Sequence, residues 1–219
     1  MKQALLHKLD KFFEPFETLH YKKGETILRA GDQPQGTFYL KRGYARLYSI
    51  SEQGEELTLI IFKPGDTFPI MWTINDTPNT HFLESVTDSV MYRAPKEKFL
   101  AFLNENPDAF LELFKRVLFR FGGLLQMMDY LAFGNASAKI ASILLICLER
   151  FGKGDGGKST IAVPLTHMDI ANMVGVTRET ASIELKKMEK KNLIAYKGRL
   201  IVIKNRKGLL RQSVVNNEH

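Results

Sequence analysis

Between Pro107 and Phe133, apolar side chains recur at alternating spacings of four and three: Phe110, Phe114, Val117, Phe121, Leu124, Met128 and Leu131. That repeat is a heptad seam, the pattern that keeps one stripe of a helix turned toward a partner helix. It predicts a helix of about 27 residues, roughly 40 Å long at 1.5 Å per residue, which is long for a chain of 219. A parallel stripe, Leu111, Leu118 and Leu125, runs beside the seam. The expectation is that this stripe packs the helix against the β-rich segment that precedes it and leaves the seam for a second copy of the chain. A helix buried wholly within its own chain is the competing reading. Gly122 and Gly123 interrupt helix propensity in mid-seam and mark a close approach of the partner or a bend. Asn106 followed by Pro107 reads as a cap and a first helical residue, and Gly134 ends or hinges the helix before a second one, Ala136 to Phe151.

Upstream the period falls to two. Residues 21–94 alternate β-rich runs with turn residues: ETILRAGD, GTFYLKRGYARLYSIS, EELTLIIFKPGD and HFLESVTDSVMYRAP. Gly24, Gly31, Gly36, Gly43, Gly54 and Gly65 punctuate these runs at intervals near the roughly 8–12-residue spacing of antiparallel sandwiches and barrels. The pattern predicts a β-roll or jelly roll, followed by a short helix over residues 96–103.

Downstream, residues 165–194 read as two short helices on a tight turn. Thr166 caps the first helix, Ala171 is small enough for close helix contact, and Gly175 can take the positive φ of a sharp turn. Thr177 caps a second helix from residue 178 to about 191. At roughly 100° per residue, Ala181, Leu185 and Met188 share one stripe of it, while Glu179, Ser182, Ile183, Lys186 and Lys190 cluster on the opposite side. One stripe seats the helix and the other faces out, as in a helix-turn-helix. Residues 193–196 and 200–203 then read as two short strands around Lys197-Gly198-Arg199, a wing of the kind that rests on phosphates. The stretch GKGDGGKST, before the first of these helices, reads as an exposed loop.

Charge sharpens this division. The net charge is +7, yet from Gly134 onward 15 Lys and Arg face 7 Asp and Glu, so that part carries +8 and the rest carries −1. The whole excess lies with the helix-turn-helix, where phosphate neutralisation is its natural use and a solvated basic face the bland alternative. With 44% apolar residues the chain can bury a core, and its length favours two domains. Cys147 is the only cysteine, which rules out an intrachain disulfide and a cysteine-ligated iron–sulfur cluster. It sits in the apolar run IASILLICLERF and is expected to pack as a small hydrophobe rather than sense redox. No run approaches the roughly 18 apolar residues of a membrane span, so a cytoplasmic protein with no membrane partner is expected. Jelly rolls also host metal-dependent oxygenases and isomerases, which need clustered ligands. Here His7, His20, His81, His167 and His219 are scattered, and neither a nucleophile elbow nor a phosphate loop occurs, so no enzyme, metal site or catalytic residue is expected.

Several short motifs carry a family likeness: Gly31-Asp32, then Phe38-Tyr39-Leu40-Lys41-Arg42-Gly43, the turn Pro64-Gly65-Asp66-Thr67-Phe68, Leu131-Ala132-Phe133 at the helix end, and Val176-Thr177-Arg178-Glu179-Thr180 opening the second helix. With the order of elements, they make the chain resemble, over nearly its whole length, the family of the cyclic-AMP receptor protein and the fumarate–nitrate reduction regulator. The fold class this implies is α+β: a cyclic-nucleotide-binding-like β-roll sensor domain over residues 1–105, a long dimerisation helix over 106–133, and a winged helix-turn-helix DNA-binding domain over 134–219. The resemblance further implies a homodimeric transcription factor whose effector site, between roll and long helix, biases the DNA-binding domains.

Departures from the family pattern matter as much. Its cyclic-nucleotide binders carry a Gly-Glu pair for the ribose and an Arg-Ser pair for the phosphate. Those places hold Pro69-Ile70 and Asn79-Thr80 here, and two polar positions that meet the base on the long helix hold Leu124 and Leu125. A cyclic nucleotide held in that mode would bury an unpaired charge. Cyclic AMP is therefore not expected, nor is haem, for which His81 or His7 would be a lone ligand, and no cofactor is assigned. Phe68, Ile70, Met71 and Trp72, facing Leu124, Gln126 and Met127, read equally as filled core or as a pocket for an unidentified small apolar effector. A constitutively active regulator stays open.

In family members the second helix enters the major groove, where Arg reads guanine and Glu accepts from cytosine. Arg178 and Glu179 match those positions, while a third position, usually Arg, is Ile183 here and suits a thymine methyl. Ser182 and Lys186 share the outward stripe, and Thr177, Thr180, Lys187, Lys197 and Arg199 are candidates for phosphate. The implied target is double-stranded DNA with an inverted repeat, and activation would add RNA polymerase as a partner. The rival reading is a ligand-binding module acting through protein contacts, which leaves the +8 half unexplained.

Overall fold

The computed structural model describes residues 2–154 and 159–214, so residues 155–158 of the expected loop lie outside the described part. Two compact units divide the chain: Met1–Ser49 with Thr58–Arg120, and Ile50–Leu57 with Phe121–His219.

The first unit is built on strands β1 (Glu17–Tyr21), β2 (Thr26–Leu28), β3 (Thr37–Arg42), β4 (Ala45–Ile50), β5 (Glu56–Phe62), β6 (Thr67–Phe68), β7 (Phe82–Ser85) and β8 (Ser89–Ala94). They form two four-stranded sheets, ordered β1-β8-β3-β6 and β2-β7-β4-β5. Strand β3 shows why the sequence folds so. Its side chains alternate faces: Phe38 and Leu40 enter a core with Phe62, Phe68, Leu83 and Met91, while Tyr39 enters a second cluster with Leu9, Phe13, Phe99 and Leu103. That second cluster is helical. It draws on α1 (Lys2–Phe13), α3 (Lys96–Glu105) and the start of α4 (Pro107–Phe133), and a short α2 (Ile70–Asn75) follows β6.

Helices α1 and α2 were not legible as elements. In α1, Lys8, Asp10 and Lys11 interrupt the apolar run, yet Leu9 and Phe13 share a buried face and Asp10 accepts hydrogen bonds from Tyr39 Oη (2.9 Å) and Lys41 Nζ (2.8 Å). Asn106 holds the expected position before Pro107, but its side chain does not cap the helix. Its side-chain amide donates backward to the Phe102 carbonyl at 2.9 Å, and its backbone carbonyl takes the Phe110 N–H.

Helix α4 has the expected length of 27 residues, but not the expected packing face. The stripe Leu111, Leu118 and Leu125 is exposed at 51%, 50% and 47%, so it does not seat the helix. The buried row lies one residue before the seam instead: Ala109 and Leu113 in the first unit, Met127 and Tyr130 in the second. Between them the same row carries Arg116 and Arg120. Arg116 donates to the Gly65 carbonyl at 2.8 Å, and Arg120 lies 3.6 Å from the buried Asp66 carboxylate with its guanidinium over the Phe62 ring. Two arginines on a buried face hid that row from a hydrophobic count.

The second unit holds α5 (Ala136–Phe151), α6 (His167–Val174), α7 (Arg178–Lys190) and α8 (Arg206–Gln212), with a four-stranded sheet β11-β12-β10-β9 made of β9 (Gly152–Lys153), β10 (Ser159–Ile161), β11 (Ile194–Lys197) and β12 (Leu200–Ile203). Asn135 caps α5 by accepting the Ala138 N–H. Buried Ile140, Leu144, Cys147 and Phe151 give α5 the face on which the other helices assemble. Burial pushes the Cys147 thiol up to about 12, which suits a packed side chain. Helix α8 was not expected, because Gly208 and a run of cations mask its single buried Leu209. No helix of the described residues is long and apolar enough to cross a membrane.

Candidate nucleic-acid interface

The helix-turn-helix is fixed by its caps. The Thr166 hydroxyl accepts the Asp169 N–H at 3.1 Å while the Asp169 carboxylate accepts the Thr166 N–H at 2.7 Å, a reciprocal capping box that satisfies two otherwise orphaned donors. Gly175 closes α6 at φ 61°, a left-handed conformation that side-chain-bearing residues avoid. Its N–H bonds back to the Ala171 carbonyl, and Thr177 starts α7 by accepting the Thr180 N–H at 3.2 Å. The turn between the helices is therefore short and stiff.

Helix α7 is seated by Ala181, Leu185 and Met188, all at 1% exposure or less. That leaves Arg178, Glu179, Ile183 and Lys186 facing solvent, with Ile183 exposed at 54% although it is apolar. Lys187 is exposed but paired with Glu184 at 2.6 Å, which draws its charge toward its own helix. The helix ends at Lys190, one residue earlier than the sequence suggested. The Thr177 and Thr180 hydroxyls lie 3.0 Å apart and are engaged with each other and with the cap. Ser182 is half-buried, and its hydroxyl lies 2.8 Å from His167 Nδ1.

The wing is a hairpin of β11 and β12, with Lys197 opposite Leu200, and Gly198 at φ 60° makes its tip. Lys197 and Arg199 flank that tip and are exposed. Two residues here escaped the sequence reading. His167, the first residue of α6, also reaches Tyr196 Oη of the wing with Nε2, at 3.2 Å. Burial, and secondarily the Glu189 carboxylate, raises the Tyr196 phenol above its ordinary range, so it stays protonated.

The expected effector residues do not converge within the first unit. Phe68 is filled core, its ring 4.6 Å from Phe62 and 5.8 Å from Phe38, whereas Met71 is 56% exposed. Ile70 packs beside the helical cluster and Trp72 lies under Lys96, 5.2 Å from the ring centre. In the second unit Leu124 and Gln126 are half-buried and Met127 is buried. Asn79 and Thr80 have structural work: the Asn79 amide donates to the Arg29 carbonyl at 2.7 Å, and the Thr80 hydroxyl lies 3.1 Å from His81 Nδ1. The seam is exposed, with Phe110, Phe114, Phe121 and Met128 at 47%, 48%, 55% and 65%, while Val117, Leu124 and Leu131 are half-buried.

A β-roll, a long helix with an apolar outer seam, and a winged helix-turn-helix with a charged outer face define the class of DNA-binding transcription regulators. Residues 18–106 match the cyclic nucleotide-binding domain family, and residues 138–212 match the Crp-like helix-turn-helix domain family. The chain is 26% identical over 194 residues to the Global nitrogen regulator of Nostoc sp., covering 88% of this chain and 87% of that one. It is 25% identical over 204 residues to the Fumarate and nitrate reduction regulatory protein of Escherichia coli, covering 93% and 80%. The structure of FixK2 from Bradyrhizobium japonicum shares the fold with a TM-score of 0.76 at 20% identity, covering 90% of this chain and 97% of that one. The chain belongs to the family of the cyclic-AMP receptor protein and the fumarate–nitrate reduction regulator, and is a transcription regulator with a helix-turn-helix DNA-binding domain.

Proposed function

We propose that the protein is a homodimeric, non-enzymatic regulator acting in the cytoplasm, in which residues 1–105 form the sensor domain, 106–133 the dimerisation helix and 134–219 the domain that reads an inverted-repeat operator. The observation that carries this is the outer face of α7, where Arg178, Glu179, Ile183 and Lys186 stand free of the stripe that seats the helix. Arg178 supplies the bidentate donor for guanine and Glu179 the acceptor for cytosine N4. Ile183 contacts a thymine methyl, so each half-site prefers A·T where relatives with an arginine prefer guanine. Thr177, Thr180, Lys187, Lys197 and Arg199 position the domain on phosphates.

The exposed seam of α4 supports dimerisation, since contiguous apolar surface of this kind marks an interaction site. A Cβ placed on Gly122 or Gly123 would meet nothing within 4 Å beyond its chain neighbours and the adjoining backbone of its own helix, which leaves room for a partner helix. Dimeric two-fold symmetry sets the half-sites about 34 Å apart. The regulator works without cyclic AMP or an iron–sulfur cluster. Arg46 of the roll is drawn to Glu84 at 3.3 Å, and Arg116 and Arg120 of α4 to Asp66, so these buried or half-buried cations pair with acids of the fold.

Selection of bound sequences from random duplexes, followed by salt titration on the winner, tests the reading. The expected result is an inverted repeat, with affinity falling steeply with salt. Equal binding to the selected and scrambled duplexes would overturn it.

A further inference from the structure

Two hydroxyl-bearing residues far apart in sequence meet at one histidine. His167 opens the first helix of the motif, Ser182 lies in the recognition helix α7, and Tyr196 lies on wing strand β11. The imidazole sits between the two hydroxyls, with Nδ1 2.8 Å from Ser182 Oγ and Nε2 3.2 Å from Tyr196 Oη. Both elements that meet DNA are thus held by one ring, and neither reaches the other directly through these side chains. We propose that His167 is a positioning residue for DNA reading, which ties the recognition helix to the wing and aims the Ser182 hydroxyl proton at a DNA acceptor. This rests on the reading of α7 and the wing as the DNA-contacting elements.

The chemistry follows from counting donors. A neutral imidazole has one N–H and one lone pair, and each hydroxyl has one proton and spare acceptor capacity. If Tyr196 donates to Nε2, then Nδ1–H donates to Ser182 Oγ, and the Ser182 proton is free to leave the network. The chain of donors then runs in one direction, from wing through imidazole to recognition helix, and each bond polarises the next. A phosphate or base acceptor taken by Ser182 completes it. The opposite order of protons would point Ser182 back into the protein and leave it without a proton for DNA. An acceptor at Ser182 therefore selects the tautomer that also fixes the wing.

The experiment compares operator affinity and the selected base profile for wild type, His167→Leu, His167→Gln, Ser182→Ala, Tyr196→Phe and the Ser182→Ala/Tyr196→Phe double variant, the last three also combined with His167→Leu, over one common series of salt concentrations. Loss of two hydrogen bonds predicts that His167→Leu weakens operator binding about tenfold, with an unchanged salt slope on random DNA. His167→Gln should recover most of that loss, since its amide offers one acceptor and a donor group at a similar separation. Ser182→Ala and Tyr196→Phe should be non-additive with His167 present and additive with His167→Leu. Tyr196→Phe should also broaden base preference at the position nearest Ser182, which a purely structural wing residue would not do. Wild-type affinity for His167→Leu, or a Gln variant as weak as Leu, would overturn the proposal. So would strict additivity. Loss of binding in Arg178→Ala beside unaffected His167 variants would sink this inference alone, whereas a wild type without operator preference would sink the DNA-reading model beneath it.

Discussion

Helices α4 and α7 each bury one stripe and expose another, and what they expose is opposite in kind. Along α4 the outer face is Phe110, Phe114, Phe121 and Met128; along α7 it is Arg178, Glu179, Ile183 and Lys186. The buried faces are reversed in a smaller way. Helix α7 is seated by Ala181, Leu185 and Met188 alone, whereas α4 mixes Ala109 and Leu113 with Arg116 and Arg120 on its buried row. An apolar face left in water seeks another apolar face, and a basic polar face seeks an anionic lattice. The side of a helix turned away from its own core thus names the partner.

The most direct way to break the comparison is to make the outer face of α4 resemble that of α7. Phe114 and Phe121 are about half exposed in one chain, so Phe114→Glu with Phe121→Glu should leave the monomer folded. In a dimer the same change buries carboxylates in an apolar seam. Self-association should weaken by about 4 kcal/mol, roughly 1000-fold, and operator affinity should fall with it as the second half-site contact is lost. Sedimentation equilibrium with a parallel thermal melt checks this. A folded variant that remains dimeric would break the assignment of the seam.

The inner face of α4 gives the next largest effect. Asp66 is 5% exposed and faces Arg116 Nη1 at 3.8 Å and Arg120 Nη1 at 3.6 Å, separations beyond hydrogen-bond length but within ion-pair range. Burial lowers the pKa of Arg120 and the Asp66 carboxylate opposes that shift, so the acid is what makes the buried cation tolerable. Asp66→Ala should cost about 3 kcal/mol in urea unfolding, since an uncompensated charge stays behind. Adding Arg120→Met should restore much of the loss. Equal stability of Asp66→Ala and wild type would show that the pair does not anchor the helix.

How much of this was readable beforehand depends on whether the signal was local. The length of α4 was legible because its apolar seam repeats without a break, and the helix-turn-helix because Thr166, Gly175 and Thr177 sit where caps and the turn demand them. The packing face of α4 was not, since Arg116 and Arg120 lie on the buried row by virtue of the Gly65 carbonyl and Asp66, 51 and 54 residues away in sequence. Phe68 reads equally as core or pocket wall in sequence because nothing local shows that Phe38 and Phe62 fill the space around it. His167 was passed over for the same reason: its partners lie 15 and 29 residues downstream and meet it only after the wing folds back.

On the recognition helix, smaller effects separate reading from folding. Arg178 is exposed and makes no contribution to the buried stripe. Arg178→Ala should therefore leave stability within about 0.5 kcal/mol while costing about 2 kcal/mol of operator binding and relaxing one base position. Calorimetric unfolding beside equilibrium binding measures both. A variant that loses equal affinity for operator and random DNA would place Arg178 on phosphate instead of base.

The smallest expected change is the one that tests specificity most closely. Ile183 is 54% exposed on a face otherwise charged or polar, so the fold gains little from it, and the proposed reading gives its apolar character a use at the operator. A thymine methyl is the apolar group the major groove offers. Ile183→Arg would replace the proposed contact with a bidentate donor, so total affinity should move by only about 1 kcal/mol. The preferred base at one position per half-site should meanwhile shift from A·T toward G·C. Parallel selections with wild type and Ile183→Arg read that shift directly, and indifference of every base position to the exchange would remove Ile183 from the reading face, leaving Arg178 and Glu179 to specify the operator.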